Sequence, residues 1–91
     1  MARVQFTRHL SRYFPDLEQN VEIEGNTVAQ IVSGLDSRFP GLAAYIVDDQ
    51  GALRQHVNIF IGNELIRDRK RLGDEVRADD SVYVLQALSG G

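Results

Sequence analysis

The sequence predicts an α+β domain: a mixed sheet of four to five strands packed on one main helix. Two observations carry that expectation. Apolar and polar residues alternate in several short segments on either side of a single stretch with helical spacing. The 91 residues, 43% hydrophobic and 25% charged, also suffice for one core and give no compositional case for disorder or a second domain.

Arg3 to Arg8 alternates, which predicts an opening strand with Val4 and Phe6 inward. His9 to Asp16 reads as a connection, because Pro15 is unsuited to a central strand. Asn20 to Glu24 alternates again and stops at the turn-prone pair Gly25-Asn26, so the first two strands are expected to form an antiparallel hairpin. Thr27 is a hydroxyl N-cap, Gln30 completes a capping box, and Val28, Ile31, Val32 and Leu35 share one helical face that Phe39 extends. Pro40-Gly41 ends the helix.

Leu42 to Val47 is a short apolar run. With Asp48-Asp49-Gln50-Gly51 as a turn and Arg54 to Ile61 as the returning arm, it predicts a long hairpin. In the second arm Val57, Ile59 and Ile61 share one face, Asn58 and Phe60 the other. Gly62-Asn63-Glu64 turns into the short segment Leu65-Ile66. The loop from Arg67 to Asp80 is rich in charge; within it Arg67, Arg69, Lys70 and Arg71 are interleaved with Asp68 and followed by Asp74 and Glu75, so this cluster reads as solvated rather than as a patch for an acidic partner. Ser81 to Gln86 is the last strand. With strands on both sides of one helix, the first and last are expected to pair side by side in parallel, the β-grasp arrangement.

A net charge of -3 argues against a surface that tracks phosphates. The absence of cysteine excludes disulfides, thiolate metal sites and cysteine nucleophiles. No segment reaches the roughly 20 apolar residues of a membrane span, and no signal peptide is recognisable, so a cytoplasmic location is expected, with neither nucleic acid nor membrane as partner. His9 and His56 lack metal-ligand spacing and read as ordinary polar residues. Asp48-Asp49, Asp74-Glu75 and Asp79-Asp80 read as solvated turn residues. No phosphate loop, nucleophile elbow or dinucleotide fingerprint is present, and no catalytic residue or bound cofactor is expected.

What remains is the end of the chain. After the strand, Ala87, Leu88, Ser89, Gly90 and Gly91 carry little side-chain bulk, so a domain of residues 1–86 with a flexible tail of residues 87–91 is expected. Such a tail can thread a narrow channel and present the Gly91 carboxylate for activation as an acyl adenylate. Small residues at a chain end are also what ordinary fraying produces.

The stretch from Asp80 to Gly91 resembles the end of the MoaD/ThiS family of ubiquitin-like sulfur carriers: an acidic turn, a hydrophobic strand, an alanine- or proline-containing exit, and Gly-Gly. His56 to Glu64 followed by Ile66-Arg67 is similar to the middle strand and turn of the longer, CysO-type carriers, to which the pattern is closest. Gln86 departs from the proline found in many relatives. The resemblance implies a carrier, not an enzyme. A ubiquitin-activating-like adenylyltransferase would adenylate Gly91 with ATP, sulfide or a persulfide enzyme would convert the adenylate to a thiocarboxylate, and an acceptor enzyme would take the sulfur for cysteine, molybdopterin, thiazole or a thiolated nucleoside. It also implies docking through the tail and the outer sheet face, where period-two alternation places Tyr83 and Leu85 beside Phe60 and Thr7. Phe60 and Tyr83 also fit a stabilising cross-strand aromatic pair. The alternatives are a ubiquitin-like modifier joined through Gly91 to target lysines and a plain interaction module.

Overall fold

The structure, a computed structural model, describes residues 1–6 and 20–86. Its elements are β1 (Ala2–Phe6), β2 (Asn20–Ile23), α1 (Val28–Arg38), α2 (Ala43–Ile46), β3 (Val57–Ile61), β4 (Glu64–Leu65) and β5 (Ser81–Gln86). The five strands form one sheet in the order β2-β1-β5-β3-β4. β1 and β5 pair in parallel with Val4 opposite Val82, and the other neighbours are antiparallel. This is the mixed β-grasp sheet expected from the alternation.

Val4, Val21, Ile23, Val57, Ile59, Val82 and Val84 line one sheet face, and Val28, Ile31, Val32 and Leu35 of α1 cover it. All are buried. Period two on the strands and period 3.6 on the helix thus meet in a single apolar layer. Helix and sheet approach closely at Gly34: a Cβ built there would lie 2.7 Å from Ile23 Cγ2. A mid-helix glycine costs about 1 kcal/mol in propensity, and here it lets α1 lie close to β2.

Helix α1 leaves none of its first four amides unpartnered. Gln30 N donates to Thr27 Oγ1 and Ile31 N to Thr27 O. Val28 N donates to Asp74 O and Ala29 N to Leu72 O. The Gln30 side chain reaches one residue further than a capping box requires, its Oε1 accepting from Asn26 N at 2.6 Å. Beyond the helix, Asp36 Oδ1 accepts from Gly41 N and Ala43 N, turning the chain at Pro40-Gly41.

Two expectations change. Leu42 to Val47 is not a hairpin arm: Ala43–Ile46 is one turn of helix, and of the long hairpin only the bridge Val47 to Leu53 forms. Leu42 and Ile46, both fully buried, stand four residues apart, a helical spacing that two intervening alanines favour over extension. The Asp48 turn does form, its Oδ1 accepting from Gln50 N and Ala52 N, and the returning strand begins at Val57 rather than Arg54.

The loop after β4 is not simply solvated either. Leu72 and Val76 are buried, and Leu72 adopts a φ of 55°, unfavourable for a residue with a Cβ. Its carbonyl is thereby turned to Ala29 N, and its N–H donates to Asp68 O. Asp74 is half-buried, its two carboxylate oxygens accepting from Arg67 N and Asp68 N. Asp68 accepts from Lys70 N and Arg71 N on one oxygen and Gly73 N on the other. The pair of carboxylates folds the loop into a plug against the N-terminus of α1.

The amides of Arg71 and Gly73, which hydrogen-bond its ionised form, lower the Asp68 pKa below the ordinary aspartate value, with smaller contributions from Lys70 N and the Arg71 charge. A depressed folded-state pKa stabilises the protein above the unfolded pKa of about 3.9, and that contribution disappears as pH falls through the lower folded value. The stability difference between wild type and Asp68→Asn should therefore be full near neutrality and shrink below about pH 4; urea denaturation at a series of pH values measures it. Gly34→Ala should destabilise by about 1–2 kcal/mol, overpacking against Ile23 exceeding the gain in helix propensity, as read from the denaturation midpoint.

Candidate functional site

Strand β5 leads to the tail and is the middle strand of the sheet, bonded to β1 on one side and β3 on the other. Gly91, Gly90, Ser89, Leu88 and Ala87, the residues expected to carry and thread the reactive carboxylate, lie outside the described residues, as does Thr7. Their roles rest on the sequence. The structure does place Phe60, Tyr83 and Leu85.

Because Val82 and Val84 point into the core, Tyr83 and Leu85 stand on the opposite face. The register gives one row across all five strands: Asn20 opposite Gln5, Gln5 opposite Tyr83, Tyr83 opposite Phe60, Phe60 opposite Leu65. Its β2 and β1 side is polar, with Gln5 Nε2 donating to Asn20 Oδ1 at 2.7 Å. The other side is apolar. Leu85, opposite Asn58, adds to it one step along β5 toward the tail.

Burial separates the roles within this apolar half. Phe60 and Tyr83 are half-buried, as directly opposed aromatic side chains on adjacent strands should be. Leu65 and Leu85 are 48% and 39% exposed. The aromatic pair is the floor of the patch, and the two leucines are its free surface. Leu65 was not singled out from the sequence, where it reads as part of the short Leu65-Ile66 segment; its place follows only from the register of Phe60 with Leu65.

At the tail end of the same face lies a polar junction. The Arg69 guanidinium donates to Arg54 O at 2.9 Å, Val57 O at 3.0 Å and Asn58 Oδ1 at 3.1 Å, so Arg69 is not the solvated residue its charged neighbours suggested. An open depression of about 510 Å³ lined by Arg3, Gln5, Asn20, Val21, Glu22 and Arg38 lies on the other side of β5. It gathers no nucleophile or paired acid and base. Among the described residues no cluster of His, Cys, Asp or Glu is arranged to hold a metal ion, and no helix is long and apolar enough to cross a membrane.

The arrangement defines a ubiquitin-like protein: a β-grasp sheet whose helix covers one face and whose bare face is apolar beside the last strand. The chain belongs to the ThiS family, whose model matches residues 4–91. The sulfur carrier protein CysO of Mycobacterium tuberculosis is 29% identical over 76 residues, which cover 81% of this chain and 82% of that protein. Among solved structures, the Amycolatopsis orientalis BexX/CysO complex contains a chain that superposes with a TM-score of 0.86 at 28% identity, covering 100% of both chains. SAMP1 from Haloferax volcanii shares the fold, with a TM-score of 0.76 at 23% identity over 99% of this chain and 98% of that one. The chain is accordingly a carrier protein of a sulfur-carrier family, not a catalyst.

The burial pattern has a measurable consequence. Leu65→Ser and Leu85→Ser should each change stability by no more than about 0.5 kcal/mol, whereas Phe60→Ala, which strips Tyr83 of its cross-strand partner, should cost about 1 kcal/mol or more. Chemical denaturation of the three variants distinguishes surface from floor.

Proposed function

We propose that residues 1–86 are the carrier domain, residues 87–91 the threading tail, and the Gly91 carboxylate the group that carries sulfur. A ubiquitin-activating-like adenylyltransferase joins that carboxylate to the α-phosphate of ATP, releasing pyrophosphate. Sulfide, or the terminal sulfur of an enzyme persulfide, then attacks the acyl carbon. With sulfide, the carbon–oxygen bond to AMP breaks and a thiocarboxylate is left. With a persulfide, the acyl disulfide first formed must be reduced by a thiol to release it. The carrier itself binds no cofactor, since ATP belongs to its partner's reaction.

The observation that carries this reading is the family match, which runs through Gly91 and so includes the Gly-Gly pair. Glycine at the last two positions places no side chain beside the carbonyl where adenylate forms and nucleophile enters. Five residues reach at most roughly 17 Å when extended, so the domain must seat closely on its partner for Gly91 to enter an active site. The apolar patch of Leu65 and Leu85, resting on Phe60 and Tyr83, offers the surface for that seating. A CysO chain is known in complex with a second protein, BexX; by likeness this chain docks on partner proteins, and a sulfur-consuming biosynthetic enzyme is the proposed acceptor.

Intact-mass spectrometry after incubation with an activating enzyme of this class, ATP and sulfide should show replacement of one oxygen by sulfur, a gain of about 16 Da, and deletion of Gly91 should abolish it while the fold persists. A truncated chain that still forms the adduct would remove Gly91 from the chemistry. Conjugates to target lysines in place of a thiocarboxylate would make the chain a protein modifier instead.

A further inference from the structure

The loop between β4 and β5 reaches back over the start of β3 through one side chain. Arg69 is held at both ends: its own carbonyl accepts from Leu53 N at 2.7 Å, and its guanidinium donates to Arg54 O, Val57 O and Asn58 Oδ1. These three acceptors are neutral oxygens, and the bonds to the two carbonyls are partly shielded from solvent. Charge-assisted bonds of this kind are stronger than neutral ones, and a planar fork holds its acceptors in fixed relative positions.

The acceptors matter because of what they face. Val57 is registered with Gln86 and Asn58 with Leu85, so the guanidinium grips the two β3 residues that form the last rung pair of the β3–β5 ladder. Val57 N also donates to Arg54 O, which places the turn before β3 in the same grip. On the other side of β5, the ladder with β1 extends as far as Phe6 opposite Val84 within the described residues. Among the described residues, the register partners of Leu85 and Gln86 are thus Asn58 and Val57 of β3.

We infer that Arg69 is a positioning residue that pins the end of the β3–β5 ladder, and so sets both the seat of Leu85 and the point at which the tail leaves the sheet. Losing the fork frees the start of β3, and the last rungs open. The tail then starts earlier and Leu85 no longer holds a fixed place beside Phe60 and Leu65. The consequence for activation rests on the carrier reading proposed above, whereas the consequence for the ladder does not.

The test compares wild type, Arg69→Met, Arg69→Lys and, as a control remote from the junction, Val21→Ala on the edge strand β2. Backbone amide exchange by NMR should accelerate about tenfold or more at the protected amides among Val57, Asn58, Leu85 and Gln86 in Arg69→Met, with Val4 and Val82 unchanged once differences in global stability are subtracted. Lysine keeps the charge but not the fork, so Arg69→Lys should not restore protection. Val21→Ala should leave these amides at wild-type rates after the same subtraction. Unaltered exchange in Arg69→Met, restoration by lysine, or an equal effect from Val21→Ala overturns the pin. With an activating enzyme, Arg69→Met should raise KM for the carrier several-fold at nearly constant kcat, because the bound partner re-forms the strand end at the cost of binding energy. Faster exchange with an unchanged KM would overturn the role in activation, and a wild-type chain that no activating enzyme modifies would instead sink the carrier reading.

Discussion

The parallel pairing of β1 with β5 is the constraint from which the rest of the architecture follows. Two parallel strands at the centre of a sheet cannot be joined by a turn; the chain must leave one end, pass over a face and return. Everything from β2 to the charged loop occupies that passage, and α1 occupies the face. The hydrogen bonds of β1 and β5 place Val4 beside Val82 and Phe6 beside Val84, aligning the two inner rows that the helix then covers. The same pairing obliges Gln5 and Tyr83 to stand together on the other face. One register thus decides both the core and the composition of the outer face.

A second dependence joins the loop to the helix. Leu72 O and Asp74 O receive the first two amides of α1, while Asp68 and Asp74 bind the loop's own amides. A helix end without partners for its amides would be costly so near the core, and a loop rich in charge has little reason to order by itself. Each supplies what the other lacks. The left-handed backbone at Leu72 belongs to this arrangement: it accompanies a buried side chain and a carbonyl that accepts from Ala29 N.

The sequence displayed the sheet and main helix clearly, because their periods are unambiguous: Val57, Ile59 and Ile61 alternate, and Ile31, Val32 and Leu35 recur as a helical face. It misled at Leu42 to Val47, where a run of six apolar residues contains no alternation and its length suits either state. The loop deceived for a different reason. Charge interleaving describes side-chain pairing, while Asp68 and Asp74 accept from backbone amides and Arg69 donates mainly to the carbonyls of Arg54 and Val57, distant in sequence. At the candidate site, the shared outer face of Phe60, Tyr83 and Leu85 was legible from parity, but the direct opposition of Phe60 to Tyr83 and to Leu65 needed the β3–β5 and β3–β4 registers. The tail residues 87–91 and Thr7 remain readings of the sequence.

The central position of β5 has a mechanical side. A pull applied at Gln86 along the axis of β5 acts on a strand bonded to neighbours on both flanks. Force in that direction loads the two ladders in shear, where many bonds must yield together. A terminal strand at the sheet's edge, drawn sideways, would peel one rung at a time. A domain loaded along its middle strand therefore resists unravelling better than one loaded along an edge strand.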